Sequence, residues 1–218
     1  IFPGDVIFYP NWSCDGIATV SHLDLKTGNH HLIFEYSNAT EEATKTVSAE
    51  AFNTAYKWDG NEGVGDALWS TAANWSSDIV PTSADTATFD DTCSSNCNPT
   101  IDVTTTVAGF TMAATYTGTI TQADSTTLTI NGTFSQAAGT FTGGTGTTTV
   151  RSFTVSGGTY TAASTTTFTN ALTTIDVPTS LTFENVTIQM NDSWGVTIAS
   201  GDTIVVTGTL TLNDGAVN

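Results

Sequence analysis

A chain of 218 residues can hold one all-β domain or two smaller units, and a 39% hydrophobic content excludes wholesale disorder. Twenty-one acidic residues against the four basic ones, Lys26, Lys45, Lys57 and Arg151, give a net charge of −17. That excludes DNA and RNA, whose binding draws on Lys and Arg neutralising phosphates, and it disfavours anionic lipid surfaces. No apolar run approaches the roughly 20 residues that span a bilayer, so membrane insertion of this segment is not expected.

The chain opens at Ile1 with neither an initiator Met nor the basic start and cleavage site of a signal peptide, and it stops in mid-pattern at "NDGAVN". Together these read as a processed product or fragment. Residues 1–56 contain His22, His30, His31 and most of the Glu. In "HLIFEYS", Leu32, Phe34 and Tyr36 alternate with Ile33 and Glu35, the period of a half-buried strand, and the "KTGN" turn before it predicts a hairpin with "VSHLDL". His30 and His31 fall on opposite faces of that strand and cannot easily share a metal. Leu25, Gly28, His30 and Tyr36 carry a rhythm that resembles the closing strands of the carbohydrate-associated PA14 sandwich. The resemblance implies a β-sandwich-like segment and, with Trp12, glycans as ligands. "IFPGDVIFYP" alternates in part and is expected to be a strand given to, or completed by, another copy or an adjacent domain.

Residues 57–99 place Trp58, Trp69 and Trp75 among Gly, Asp and Ser, too irregular for a helix and suited to covering the open end of a β core. Trp58, Gly60, Asn74, Trp75, Pro81, Asp85, Ala87 and Phe89 form a pattern similar to the segment that introduces the β-helical stalk of large bacterial surface proteins, the autotransporter-type passengers. Asp59, Asn61 and Asp66 begin like a calcium loop without continuing as one, so calcium is weighed against ordinary turns, and no other cofactor is expected. Cys93 and Cys97, four apart in a polar loop, suit a short disulfide, with two free thiols or a metal as alternatives. Cys14 is left odd.

From residue 100 onward, short Thr, Val, Ile and Phe strands are broken by Gly, Asn and Ser. Phe134 and Phe153 lie 19 apart, as do Phe141 and Tyr160, while the earlier "GTI" gives a step of 21. Self-similarity near 20 residues without helices predicts an all-β fold, a right-handed β-solenoid over 100–218 preceded by the sandwich-like segment. Phe134, Phe141, Phe153 and Tyr160 should point inward, with Leu172 and Leu210 on later steps, about six coils in all, and a loop near Asn191 breaking the register. Thr runs at 104–106, 147–149 and 165–167 suggest outward Thr ladders. Such arrays can bind ice when strictly periodic; here the spacing drifts, and a solvated or glycosylated face is the expectation.

The carboxylates Asp102, Asp124, Asp176, Glu184, Asp192, Asp202 and Asp214 are scattered singly, and Arg151 is the one basic residue of this stretch, which is poor material for a lyase or a two-carboxylate glycosidase. No enzyme is expected. Asn11, Asn38, Asn74, Asn131, Asn185 and Asn191 stand in N-glycosylation sequons. The whole suggests an extracellular, cell-surface glycoprotein acting as a stalk, fibre or adhesin through β-edge self-association. The alternatives are a carbohydrate-binding module and a β-helical polysaccharide-degrading enzyme.

Overall fold

The structure is a computed structural model that describes residues 7–8, 33–34, 54–60, 66–169, 174–190 and 196–214. The chain divides into two compact units, Ile1–Phe52 and Asn53–Asn218. In the first, Ile7–Phe8 pairs in parallel with Ile33–Phe34, so this part of "IFPGDVIFYP" finds its partner within its own chain. The expected hairpin strand "VSHLDL" lies outside the described residues, as do His30, His31 and Trp12.

The second unit is a β-solenoid of roughly five turns over residues 86–213. Its sheets are parallel throughout, which follows when each coil lays its strands on those of the coil before. Each coil supplies three faces. The first carries Thr105–Val107, 127–130, 147–150, Thr165–Thr169, Asn185–Met190 and Leu210–Asp214 in successive coils. The second carries Ala55–Lys57, Thr86–Phe89, Gly109–Met112, 133–136, 152–154, Thr174–Asp176 and Thr197–Ile198. The third carries Thr100–Ile101, Thr119–Gln122, Thr140–Thr142 and Thr159–Thr161. Its place in the next two coils is taken by Ser180–Phe183 and Thr203–Val206, which pair with each other.

The parallel sheet reaches further towards the N-terminus than residue 100. Thr86–Phe89 pairs with Gly109–Met112, and Ala55–Lys57 pairs with Thr86–Phe89, so strands of the solenoid already lie within the stretch expected to be a junction. Ala87 and Phe89 supply the reason: they alternate with Thr86 and Thr88, which puts both apolar side chains into the core. Coil length is also more variable than 19–21. Thr147 registers with Thr165, 18 residues on, and Phe110 with Phe134, 24 on. The step from Phe153 leads to Ile175 rather than Leu172, which lies outside the described residues, and Leu210 registers with Val186. The corners absorb these differences. Between the first two faces, Asn131 and Gly132 stand opposite the single residue Arg151, a bulge that turns the strand without breaking the ladder.

Inside, like residues stack on like. Phe110, Phe134 and Phe153 form a ladder with ring centroids 5.3 and 5.0 Å apart and planes within 11°. Phe141 and Tyr160 form a second ladder at 5.3 Å, edge-on to the first. Val107, Ile130, Val150 and Phe168 continue a third column in register on the first face. Each aromatic pair adds about 0.5–1.5 kcal/mol beyond the area it buries.

Candidate functional site

The solenoid presents three features that could meet another molecule: its N-terminal end, its outer Thr columns and its C-terminal end. The first is closed. Trp58, Trp69 and Trp75 are fully buried, with Trp75 4.6 Å from Trp69 and 5.1 Å from Trp58, both edge-on. Trp69 stacks on Phe110 with planes 3° apart, so it extends the phenylalanine ladder by one rung. Beneath the three indoles lies Phe89.

Backbone geometry closes the strand edge as well. Trp58 and Trp75 form an antiparallel bridge, Lys57 N donates to Ser76 Oγ at 3.0 Å, and the amides of Asp59 and Gly60 donate to Asn74 O. The segment crossing the end therefore takes up the amides of Lys57, Asp59 and Gly60, on the side where a further parallel coil would pair. Trp75 Nε1 donates to Trp69 O at 2.8 Å and Trp58 Nε1 to Asn96 O at 3.0 Å, while Trp69 Nε1 is buried without a partner. Asp85, nearly fully buried, caps its own turn by accepting from the amide and hydroxyl of Thr82.

Cys93 and Cys97 are disulfide-bonded with Cα atoms 5.7 Å apart. Their loop clasps the cap: Asn96 O accepts the Trp58 indole, Cys97 O accepts the Tyr116 hydroxyl at 2.8 Å, and Ser94 N donates to Asp59 O. Gly60 sits so close beneath it, at φ +62°, that an added Cβ would lie 1.9 Å from Ser95 O. Cys14 lies outside the described residues.

Of the calcium candidates, Asn61 lies outside the described residues. Asp66 accepts from Leu68 N at 2.7 Å and Thr71 Oγ1 at 2.8 Å, the bonding of a local turn. The sequons fare differently from one another. Asn74 is fully buried, and its Nδ2 donates to Asp66 O and Leu68 O, which corrects the expectation of a glycan there: the folded cap leaves no room for a sugar on that atom. Asn185 stitches three coils, with Nδ2 donating to Ser164 O at 2.9 Å and Oδ1 accepting from Thr209 N at 3.0 Å. Asn131 is exposed at a corner, and Asn11, Asn38 and Asn191 lie outside the described residues.

Several of the solenoid carboxylates hold corners together. Asp102 accepts from the amide and hydroxyl of Ser70, Asp124 from Thr145 N and Asp202 from Val177 N. Two interior glutamines do the same from within, and sequence reasoning missed them. Gln122 Nε2 donates to Thr126 O in its own coil and Thr147 O in the next, while its Oε1 accepts from Thr148 Oγ1 at 2.8 Å. Gln136 Nε2 likewise bridges Gly139 O and Thr159 O. The signal was a recurring Gln-Ala pair, each Gln falling in the inward phase of its strand. Burial pushes the hydroxyls of Tyr116 and Tyr160 above the ordinary tyrosine range; Tyr160 OH faces Thr166 Oγ1, although neither completes a well-formed hydrogen bond.

On the first face, Thr106, Thr129, Thr149, Thr167, Thr187 and Thr211 form one unbroken column. The drift seen in the sequence is taken up at the corners, so the column keeps register. It is not an evenly accessible surface, however: Thr167 is only 8% exposed, and Asn185 interrupts the neighbouring column of Thr127, Thr147 and Thr165.

The C-terminal end differs. Val186 is 2% exposed, but Leu210, which registers on it, is 51% exposed. Leu212, next on the column that contains the buried Phe168, is 59% exposed, and Ile198, next above the buried Ile175, is 45% exposed. Leu210–Asp214, Thr197–Ile198 and Thr203–Val206 each pair on one side only among the described residues. No helix of the described residues is long and apolar enough to cross a membrane. Comparison with protein-family models, with curated proteins and with solved structures finds no match in any of the three.

Proposed function

We propose that this chain is a structural segment of an extracellular surface protein, a rod serving as stalk, fibre or adhesin and joining its neighbours through β edges. The observation that carries the reading is the division of labour in the solenoid: a continuous aromatic and aliphatic core, closed at one end by three tryptophans and, in its last described coil, with Leu210 and Leu212 exposed. Such an object gains its stiffness from ladders that every coil shares, which suits holding things apart. The disulfide clasp fits an oxidising compartment, where such bonds persist. The carboxylates that a glycosidase would need are engaged at separate corners in Asp102, Asp124 and Asp202, which favours the structural reading over the enzymatic one.

Small-angle scattering and electron microscopy of the 218-residue chain test the proposal. Stiff rods, with no reducing sugar released from a polysaccharide panel and no selective signal on a glycan array, are the expected result. Turnover of a polysaccharide by compact particles would overturn it.

A further inference from the structure

The Thr column of the first face is covered at Thr167 and flanked by Asn185, but a second Thr array stands on the third face, where "GTIT", "GTFT" and "GTYT" recur in successive coils. Thr119, Thr140 and Thr159 register in one outward column, and Thr100, Thr121, Thr142 and Thr161 in the next. Ile120, Phe141 and Tyr160, between the columns, are buried, which fixes the outward phase of both. Rungs of a parallel ladder repeat at about 4.8 Å and alternate residues of a strand at about 6.6 Å, so the two columns form a rectangular net of hydroxyl and methyl groups. That net is close to the repeat of water oxygens on a prism face of ice. We propose that the third face binds ice, an activity beyond the rod reading and independent of it.

The hydroxyls of this face are unspent. Corner threonines use theirs on turns, as Thr82 does on Asp85 and Thr126 on Ala123 O, whereas among the described residues none of the seven array hydroxyls has a protein partner. Each is left to donate to and accept from water, while the methyl beside it orders water that it cannot bond. The face is also flat. Gly118, Gly139 and Gly158 stand at one rim, where a Cβ on Gly118 would lie 2.1 Å from Cys97 O and one on Gly158 2.3 Å from Gly139 O. At the other rim stand the inward Gln122, Gly143 and Ala162, so no long side chain rises beside the threonines. In a chain of net charge −17, the strands Thr119–Gln122, Thr140–Thr142 and Thr159–Thr161 carry no charge and no sequon, so neither an ionic hydration shell nor a sugar holds an ice lattice off. The stiff χ1 of Thr and the stacked rings of Phe141 and Tyr160 behind the sheet fix the net in advance, so little freedom is lost on binding. A crystalline polysaccharide is the other flat lattice to weigh, and these strands turn no aromatic ring outward to stack on a sugar.

The probe is ice itself, grown slowly in a solution of the 218-residue chain. The chain should be enriched in the ice over a co-dissolved inert protein, and it should open a gap between the melting and freezing points of a seeded crystal. The double variant Thr140→Tyr/Thr142→Tyr lifts the central rung out of the plane with a residue that suits strands, and it should abolish both effects while leaving the far-ultraviolet dichroism and melting temperature unchanged. Thr154→Tyr, outward on the second face, should leave both effects in place. Should the double variant fold poorly, Thr161→Lys, on the exposed last rung of the array, should lower the fraction taken into ice severalfold. A wild-type chain excluded from ice, including one held instead by crystalline cellulose or chitin, overturns the proposal. So does ice activity that is indifferent to the third-face variants or is lost with Thr154→Tyr. None of these outcomes bears on the rod, which scattering tests separately.

Discussion

Phe89 at one end of the solenoid meets three buried indoles, whereas at the other end Leu210 and Leu212 register on Val186 and Ile188 and, among the described residues, no strand pairs beyond theirs. The middle of the molecule follows one rule, an apolar residue inward and a small polar residue, most often Thr, outward, in strands that pair in parallel, with Gln122, Gln136, Thr148 and Thr166 as its inward exceptions. The ends cannot obey it, because the rule always calls for another coil. The N-terminal end solves this by breaking the pattern: the chain crosses over in antiparallel sense, spends Asn74 O on two amides and fills the core mouth with large flat side chains. The comparison teaches that the ladder is generic, whereas closing it takes residues found in no repeat.

The largest contrast should come from truncating one residue at each end. Trp75→Ala removes a fully buried indole that packs on Trp58, Trp69 and Phe89 and leaves Trp69 O unpaired, and it should cost about 3–5 kcal/mol. Leu212→Ala, at 59% exposure, should change the stability of the single chain by less than ~1 kcal/mol. Urea unfolding at concentrations where the chain is monomeric measures both, and equal costs would erase the distinction between a closed and an open end. A smaller effect belongs to the clasp. Reducing Cys93–Cys97 frees a loop only four residues in separation and should lower stability by about 2 kcal/mol. Hydrogen exchange should then speed up at the Trp58 indole while that of Phe168 and its neighbours on the first face is unchanged. Uniform loosening would mean that the loop does not act on the cap.

The smallest effect is electrostatic. Burial lifts the Asp90 carboxyl, but the hydrogen bond from Lys57, the hydroxyl and amide of Thr92 and the Lys57 charge outweigh it, leaving Asp90 below its usual value. A carboxylate depressed in the folded state lends stability above its unfolded pKa of about 3.9, and that stability is lost as pH falls through the lower folded value. The Lys57–Asp90 pair, 2.7 Å apart and half exposed on the lysine side, should therefore give a slight loss in melting temperature only below about pH 4. Lys57→Ala should flatten that part of the pH profile, and a profile unchanged by the substitution would show that the pair contributes nothing.

Much of the core ladder was legible in the sequence because stacking leaves a period. Phe134 with Phe153 and Phe141 with Tyr160 show the 19-residue step directly, and these pairs stack in adjacent coils. What lay hidden was hidden by the corners. Their lengths vary independently of the faces, so extrapolating a fixed step pointed from Phe153 to Leu172 when the partner is Ile175. The same variation made the Thr runs seem to drift although their column is in register. Within those runs, composition cannot separate the inward Thr148 and Thr166, both fully buried, from their outward neighbours; only the phase set by Val150 and Phe168 does. At the cap, Asn74 read as a glycan acceptor because a sequon is local, whereas its burial depends on Asp66 and Leu68 folding over it.

The registration of residues some 20 positions apart also sets how this molecule should respond to force. Tension applied to the strand Leu210–Asp214 loads its hydrogen bonds to Asn185–Met190 one after another, as a zipper is opened, rather than all together. Each coil that peels away frees a length such as the 19 residues between Phe134 and Phe153, about 65 Å of extended chain. A pull from the C-terminal end should thus be met by a run of modest steps whose lengths follow the coils, from 18 to 24 residues, with the phenylalanine ladder giving up one ring at a time. The last and strongest step should come where Trp69 lies on Phe110, so the solenoid should lengthen by stages under load before its tryptophan-capped end gives way.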